Sequence, residues 1–209
     1  MLAIALRPVL SRLIAFIAPN LRLRQELKQL KFQLNDWPQL SSYQALNANL
    51  APPASDETRV VFLGDSITEF WNFTASFPEK PYINRGISGQ TTAQMVLRFQ
   101  PDVVALRPKV VLLLAGTNDL AGNAGIMTLT MIMDNLVSIA QLAQANQIQL
   151  IMASVLPIHD YGAVKQSEQR SPSQIRALNN WLKQYSNQHD HIYLDYYSQM
   201  IDRQGVTRI

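Results

Sequence analysis

The 209-residue sequence contains no cysteine and only three histidines, His159, His189 and His191. The absence of cysteine excludes disulfide bonds, a thiol nucleophile and thiolate metal ligands. With so few histidines we also expect no metal site. Charged residues make up 16% of the chain and hydrophobic residues 47%, which excludes a disordered polypeptide. A chain of this length and composition is expected to fold around one substantial core.

Basic residues are concentrated at the start of the chain. Residues 1–36 carry a net charge of +4, whereas residues 37–209 carry a net charge of −1. We interpret the first range as a basic, apolar leader helix and the second as the main domain. Because the domain is nearly neutral, no basic surface is expected on it, and we predict that the protein does not bind nucleic acid.

The leader lacks a long apolar run. Arg7 and Arg12 interrupt it, and its longest apolar stretch, Leu13–Ala18, ends at a proline. A membrane span needs about 18–20 apolar residues, so we do not expect one. Three interpretations stay open: a signal peptide, a helix in peripheral contact with a membrane through residues 1–34, and a helix packed on the domain. The first implies export, and the others a cytoplasmic or membrane-associated protein.

The rest of the chain alternates between short apolar runs and stretches with helical periodicity. The predicted strands are Arg59–Gly64, Lys109–Gly116, Ile148–Val155 and His191–Asp195, with a weaker candidate at Pro81–Gly86. The predicted helices are Thr92–Phe99, Leu129–Ala143 and Ile175–Tyr185, the last with Ser171 as N-cap, Pro172 at the first helical position and Gln174 three residues after the cap. This alternation predicts an α/β fold in which helices cover both faces of a parallel sheet.

Three strand-to-helix loops carry the residues of chemical interest. They contain Ser66 after the first strand, Gly89 after the weaker strand and Asn118 after the next strand. Ligands of parallel sheets bind at the carboxyl ends of the strands, so we expect these residues to converge. A serine hydroxyl beside one backbone N–H and one side-chain amide suits acyl transfer, whose tetrahedral intermediate carries a negative oxygen. Ser88 lies in the second loop and is the rival nucleophile.

In these loops the sequence resembles the SGNH, or GDSL-type, hydrolases. Phe62–Glu69 (FLGDSITE) is similar to the family's first block, Asn84–Thr91 (NRGISGQT) to its second and Leu114–Asp119 (LAGTND) to its third. The resemblance runs from about Trp37 to Tyr197. It implies a flavodoxin-like three-layer α/β/α sandwich with a central parallel sheet, and an esterase that needs no metal and no organic cofactor.

The resemblance also implies roles for individual residues. Ser66 is expected to be the nucleophile of an ester hydrolase. Its own N–H, the N–H of Gly89 and the side chain of Asn118 are expected to form the oxyanion hole. Asp65 and Asp119 are expected to support the loops through hydrogen bonds, with no part in proton transfer. No Gly-x-Ser-x-Gly motif surrounds Ser66, which argues against the α/β-hydrolase fold.

The family's general base is a histidine in an Asp-x-x-His block, and none of the ten aspartates has a histidine three residues further on. We interpret the chain as a family member that ends before this block and lacks the last helix, which is expected to leave an apolar patch beside the last strand. His159 follows the third strong strand and is the candidate substitute base. His189 and His191 precede the last strand and are expected at the opposite edge.

Two classes of function stay open. The first is a serine ester hydrolase acting on small acyl or acetyl esters or on lysophospholipids. The second is a catalytically inactive protein that keeps the fold and a binding pocket, because loss of the base costs on the order of 10⁶ in kcat in a serine protease. A nucleotide or phosphate site on Gly64–Ser66 is disfavoured because Asp65 repels phosphate.

Overall fold

The computed structural model describes residues 21–25, 27, 35–160 and 165–201 of the chain. The chain divides into two compact units, Met1–Gln39 and Leu40–Ile209. In the first unit, residues 21–25 and 27 are helical. Most of the predicted leader lies outside the described residues. No helix in the described part of the chain is long and apolar enough to cross a membrane.

The second unit is built on a sheet of five parallel strands in the order β2-β1-β3-β4-β5. The strands are β1 (Val60–Gly64), β2 (Tyr82–Gly86), β3 (Val110–Leu114), β4 (Gln149–Ala153) and β5 (Ile192–Leu194). All five strands were predicted from apolar runs, including the weaker β2. The strands are shorter than the predicted runs because the terminal residues of each run belong to loops. The predicted α/β class with a central parallel sheet is confirmed.

Helices precede, connect and follow the strands. They are α1 (Gln44–Ala48), α2 (Ser66–Glu69), α3 (Phe73–Ser76), α4 (Thr92–Asp102), α5 (Thr117–Leu120), α6 (Leu129–Ala145), α7 (Gln166–Gln169), α8 (Pro172–Gln188) and α9 (Tyr197–Met200). A single 3-10 turn, Val104–Leu106, follows α4. The three long helices are those that helical periodicity predicted.

The two faces of the sheet are covered differently. On one face, Leu63, Leu113 and Leu150 pack with buried residues of α4, α6 and α8 in the main core. On the other face, Phe62 and its neighbours pack against the aromatic side chains that follow α2. Phe62 meets Phe73 at a centroid distance of 4.7 Å and Trp71 at 5.9 Å, both edge to face. Short elements rather than a long helix therefore cover this face within the described residues.

The predicted N-cap position of α8 is confirmed, but the capping hydrogen bond is absent. Ser171 occupies the N-cap position of α8 and Pro172 follows at its start, but the Ser171 side chain caps no backbone N–H. Its hydroxyl pairs instead with the Ser173 hydroxyl at 2.7 Å. The competing side-chain partner two residues away explains the difference, because a serine hydroxyl readily forms such local hydrogen bonds.

Candidate active site

Hydrogen bonds tie the three predicted loops together at the carboxyl edge of the sheet. The N–H of Ile87, in the second loop, donates to the Gly64 carbonyl at the end of β1, at 3.0 Å. The Asn118 side chain, in the third loop, donates to the Gln90 carbonyl of the second loop, also at 3.0 Å. The loops after β1, β2 and β3 therefore converge, as expected for a parallel sheet.

Ser66 is the first residue of α2 and is partly buried. Asp65 caps this helix, with its Oδ1 accepting a hydrogen bond from the Ile67 N–H at 2.9 Å. Within the described part of the chain, neither the N–H nor the hydroxyl of Ser66 has a hydrogen-bond partner. Both groups are thus available to a ligand.

Gly89 and Asn118 present further donors. Gly89 adopts φ +78°, a left-handed conformation that glycine tolerates without strain. No described residue accepts a hydrogen bond from its N–H. Asn118 is 5% exposed and uses one of its two amide N–H groups on the Gln90 carbonyl. Asn123 donates to the Asn118 Oδ1 at 2.9 Å, which fixes the orientation of the Asn118 amide.

The two predicted supporting aspartates both make loop hydrogen bonds. Besides the bond from Asp65 to Ile67, the Asp119 carboxylate accepts from the Thr92 N–H at 3.0 and 3.1 Å and from the Thr92 hydroxyl at 2.5 Å. Asp119 therefore joins the third loop to the start of α4. Burial raises the pKa of Asp119, against the opposing effect of the bonds from Thr92.

Asp65 is a buried carboxyl group with an incomplete set of partners. It is 1% exposed, and its Oδ2 has no hydrogen-bond partner among the described residues. Burial raises the pKa of Asp65 to about 6, the Ile67 N–H opposes this rise, and the negative charge of Asp119 adds to it. The energetic consequence is that ionised Asp65 is disfavoured in the folded protein.

Ser88, the rival nucleophile, is held by a carboxylate. Its N–H donates to the Glu69 Oε2 at 2.7 Å, and its hydroxyl donates to the same oxygen. This pair joins the second loop to the end of α2. The two loops approach closely here, since a Cβ on Gly86 would lie 2.2 Å from the Glu69 nitrogen. Ser88 thus has a structural role between the loops.

An apolar cavity of about 440 Å³ opens beside Ser66. Its lining comes from the first loop, the end of β3, the loop after β4 and the segment after β5: Ser66, Ile67, Phe70, Trp71, Leu114, Leu156, Tyr196 and Met200. Ser66 supplies a hydroxyl to this lining. The indole N–H of Trp71 donates to the Ser76 hydroxyl at 2.8 Å, and the other lining groups are mostly hydrocarbon. The cavity is suited to an apolar group bound next to the Ser66 hydroxyl.

The histidines fall at different edges of the sheet. His159 lies in the loop after β4, at the carboxyl edge, but is not among the described residues that line the cavity. His189 and His191 lie before β5, at the amino edge, as predicted. Burial lowers the pKa of His191, and the neighbouring His189 lowers it further. In the described residues no group of three or more His, Cys, Asp or Glu side chains is placed to hold a metal ion.

Two residues of this site were missed by sequence reasoning. Arg98 is completely buried and bonds to the ends of β1 and β2 and to the Gln90 side chain. Asn123 orients Asn118 from the far end of the third loop. The sequence signal for Arg98 was its position on the apolar face of the predicted helix α4. Nothing in the sequence distinguishes Asn123 from an ordinary turn residue.

The fold and the site together define an α/β protein with a serine at an apolar cavity on the ligand-binding edge of its sheet. Comparison with known proteins identifies the class further. The sequence profile of the GDSL-like lipase/acylhydrolase family matches residues 62–208. The chain belongs to this family and is by class a hydrolase of ester bonds. A search of curated proteins found no significant match.

Solved structures agree with this assignment. A Bacteroides fragilis protein assigned as an acylhydrolase is 40% identical, with 81% of this chain and 82% of that chain covered and a TM-score of 0.76. A GDSL-like lipase from Bacteroides thetaiotaomicron is 38% identical, with coverages of 80% and 82% and a TM-score of 0.74. An acetylxylan esterase from Geobacillus stearothermophilus shares the fold, with a TM-score of 0.54. It is 18% identical, with 71% of this chain and 80% of that chain covered.

Proposed function

We propose that the protein hydrolyses carboxylic esters with Ser66 as nucleophile and with the N–H groups of Ser66 and Gly89 and the side chain of Asn118 as oxyanion hole. One observation carries the proposal. Ser66 lines an apolar cavity, and within the described chain the N–H groups of Ser66 and Gly89 and one N–H of Asn118 have no acceptor. Unused donors on the loops that adjoin the loop of a nucleophilic serine are suited to stabilise an acyl-transfer transition state.

The reaction is a two-step acyl transfer. The Ser66 oxygen bonds to the ester carbonyl carbon, and the carbonyl oxygen takes the negative charge in the oxyanion hole. The bond to the alcohol then breaks, the alcohol leaves with a proton, and an acyl-Ser66 ester remains. Water adds to this ester and releases the acid and free Ser66. In this scheme the acyl group occupies the apolar cavity beside Ser66. The substrates are then esters of small acyl chains or lysophospholipids, whose acyl chain enters the cavity.

Removal of the Ser66 proton requires a base. No described residue hydrogen-bonds to the Ser66 hydroxyl, and the 209 residues contain no Asp-x-x-His. His159 is the imidazole of this chain at the carboxyl edge of the sheet. The lack of a described base hydrogen-bonded to Ser66 favours a second candidate function, a protein that binds esters in the cavity without turnover. Oxyanion stabilisation and binding alone still leave a rate of about 10³ over water in a serine protease.

The test compares hydrolysis of p-nitrophenyl acetate and butyrate by the 209-residue protein and three variants. These substrates are chosen because p-nitrophenolate leaves without a proton. Ser66→Ala is expected to fall to the buffer rate. Ser88→Ala, which tests the rival nucleophile, is expected to stay well above the buffer rate. His159→Ala tests the substitute base. Equal rates for wild type and Ser66→Ala, together with no labelling of Ser66 by a fluorophosphonate, would refute the hydrolase and support the binding protein.

A further inference from the structure

Arg98 is the most deeply buried charged residue of the described chain, and its hydrogen bonds reach two of the three loops of the proposed oxyanion hole. Its side chain is 0% exposed. It forms four hydrogen bonds: to the Arg85 carbonyl at 2.8 Å, to the Gly64 carbonyl at 3.0 Å, to Asp102 at 3.0 Å and to the Gln90 side chain. The first two acceptors are main-chain groups at the ends of β2 and β1.

The acceptors flank the residues that the mechanism uses. Gly64 stands two residues before Ser66, and Gln90 is the residue after Gly89. One rigid guanidinium thus spans the loop of the nucleophile and the loop of the second donor. A planar group with donors in a fixed fork sets the relative position of its acceptors, which a lysine ammonium does not do.

The same network reaches a segment ahead of the matched family region, which begins at residue 62. The Asp102 partner of Arg98 accepts from the Asn47 side chain at 2.7 Å, and Asn47 accepts from Arg85 at 2.9 Å. The Tyr43 hydroxyl donates to the Gly86 carbonyl, and the Arg85 guanidinium lies 4.6 Å from the Tyr43 ring centroid. The segment around α1 therefore contacts the end of β2, where the second loop begins.

Stability alone is a weak reason for this arrangement. A buried ion pair costs so much desolvation that apolar residues of similar volume often replace it without loss. The four directed bonds of Arg98 instead impose one geometry on two loops. We infer that Arg98 is a positioning residue, which holds the Gly89 N–H in register with Ser66, and that Tyr43 reinforces it through Gly86. This inference rests on the proposed function of Ser66 and Gly89.

The test removes both charges of the Arg98–Asp102 ion pair, so that neither partner stays behind without the other. The double variant Arg98→Met/Asp102→Asn is uncharged and keeps the Oδ1 that accepts from Asn47. Phe99→Leu, in the same helix and also 0% exposed, is the matched control for loss of stability. We expect kcat for p-nitrophenyl butyrate to fall roughly 10- to 100-fold in the double variant, with KM changed less than about twofold, because small misplacements of catalytic groups cost rates of this order. Phe99→Leu is expected to keep kcat.

A second measurement does not depend on turnover. Hydrogen exchange of the peptide covering residues 86–91 is expected to accelerate at least about tenfold in the double variant and in Tyr43→Phe, and to stay unchanged in Phe99→Leu. Tyr43→Phe removes one hydroxyl and keeps the test available if the double variant does not fold. Unchanged exchange in residues 86–91 overturns the inference, as does a loss of kcat equal to that of Phe99→Leu. Absence of a Ser66-dependent rate in wild type refutes only the proposed function, since the exchange measurement still decides the role of Arg98.

Discussion

Replacement of Asp65 by asparagine tests the energetics of the nucleophile loop. The folded protein raises the pKa of this buried carboxyl from 3.8 to about 6, mainly through burial. A shift of this size changes the free energy of unfolding by about 3 kcal/mol between a pH below both pKa values and a pH above both. Asparagine keeps an oxygen that accepts from the Ile67 N–H, but it carries no charge.

The sign of the pH dependence follows from the direction of the shift. Because the pKa of Asp65 is higher in the folded state, the folded protein binds the proton more tightly than the unfolded chain. The stability from this group is fully present below about pH 4 and is lost as the pH rises through 6. Between pH 4.5 and pH 8 the loss is roughly 2 kcal/mol, because part of the transition lies below pH 4.5.

Urea unfolding of wild type and Asp65→Asn at both pH values measures this difference directly. The stability of the variant relative to wild type is expected to be roughly 2 kcal/mol more favourable at pH 8 than at pH 4.5. Costs of the new amide that do not depend on pH cancel in this comparison. Asp134→Asn, at an exposed position on α6, is the control and should give no such change. An equal stability difference at both pH values would show that the Asp65 carboxyl is not destabilised by burial.

Three further changes have defined outcomes. Gly86→Ala is expected to prevent normal folding, because its Cβ would lie 2.2 Å from the Glu69 nitrogen, and circular dichroism and thermal unfolding test this. Asn123→Ala is expected to lower kcat about 3- to 10-fold with little change in thermal midpoint, since it frees the amide of Asn118 to rotate; an unchanged kcat contradicts the orienting role. Leu136→Ala, at a position 1% exposed, is expected to cost about 2–5 kcal/mol in urea unfolding, and a cost below 1 kcal/mol would place Leu136 outside the tightly packed core.

The strands and long helices of this protein were predictable because their signals are local. Each buried parallel strand is a short apolar run, and the helices α4, α6 and α8 show apolar residues at helical spacing. The convergence of the loops after β1, β2 and β3 was predictable for a related reason. In a parallel sheet every strand ends at the same edge, so residues that follow neighbouring strands come together without any knowledge of side-chain contacts.

The sequence alone therefore determined the order of strands and helices, the edge of the sheet at which the candidate site lies and the three loops that form it. How those loops are held depends on contacts between distant parts of the chain. The bonds of Arg98 to Gly64 and of Asn118 to Gln90 join residues 34 and 28 positions apart, and the cavity beside Ser66 is lined from four separate segments. Such contacts depend on the packing of distant segments, which no local pattern of residues encodes.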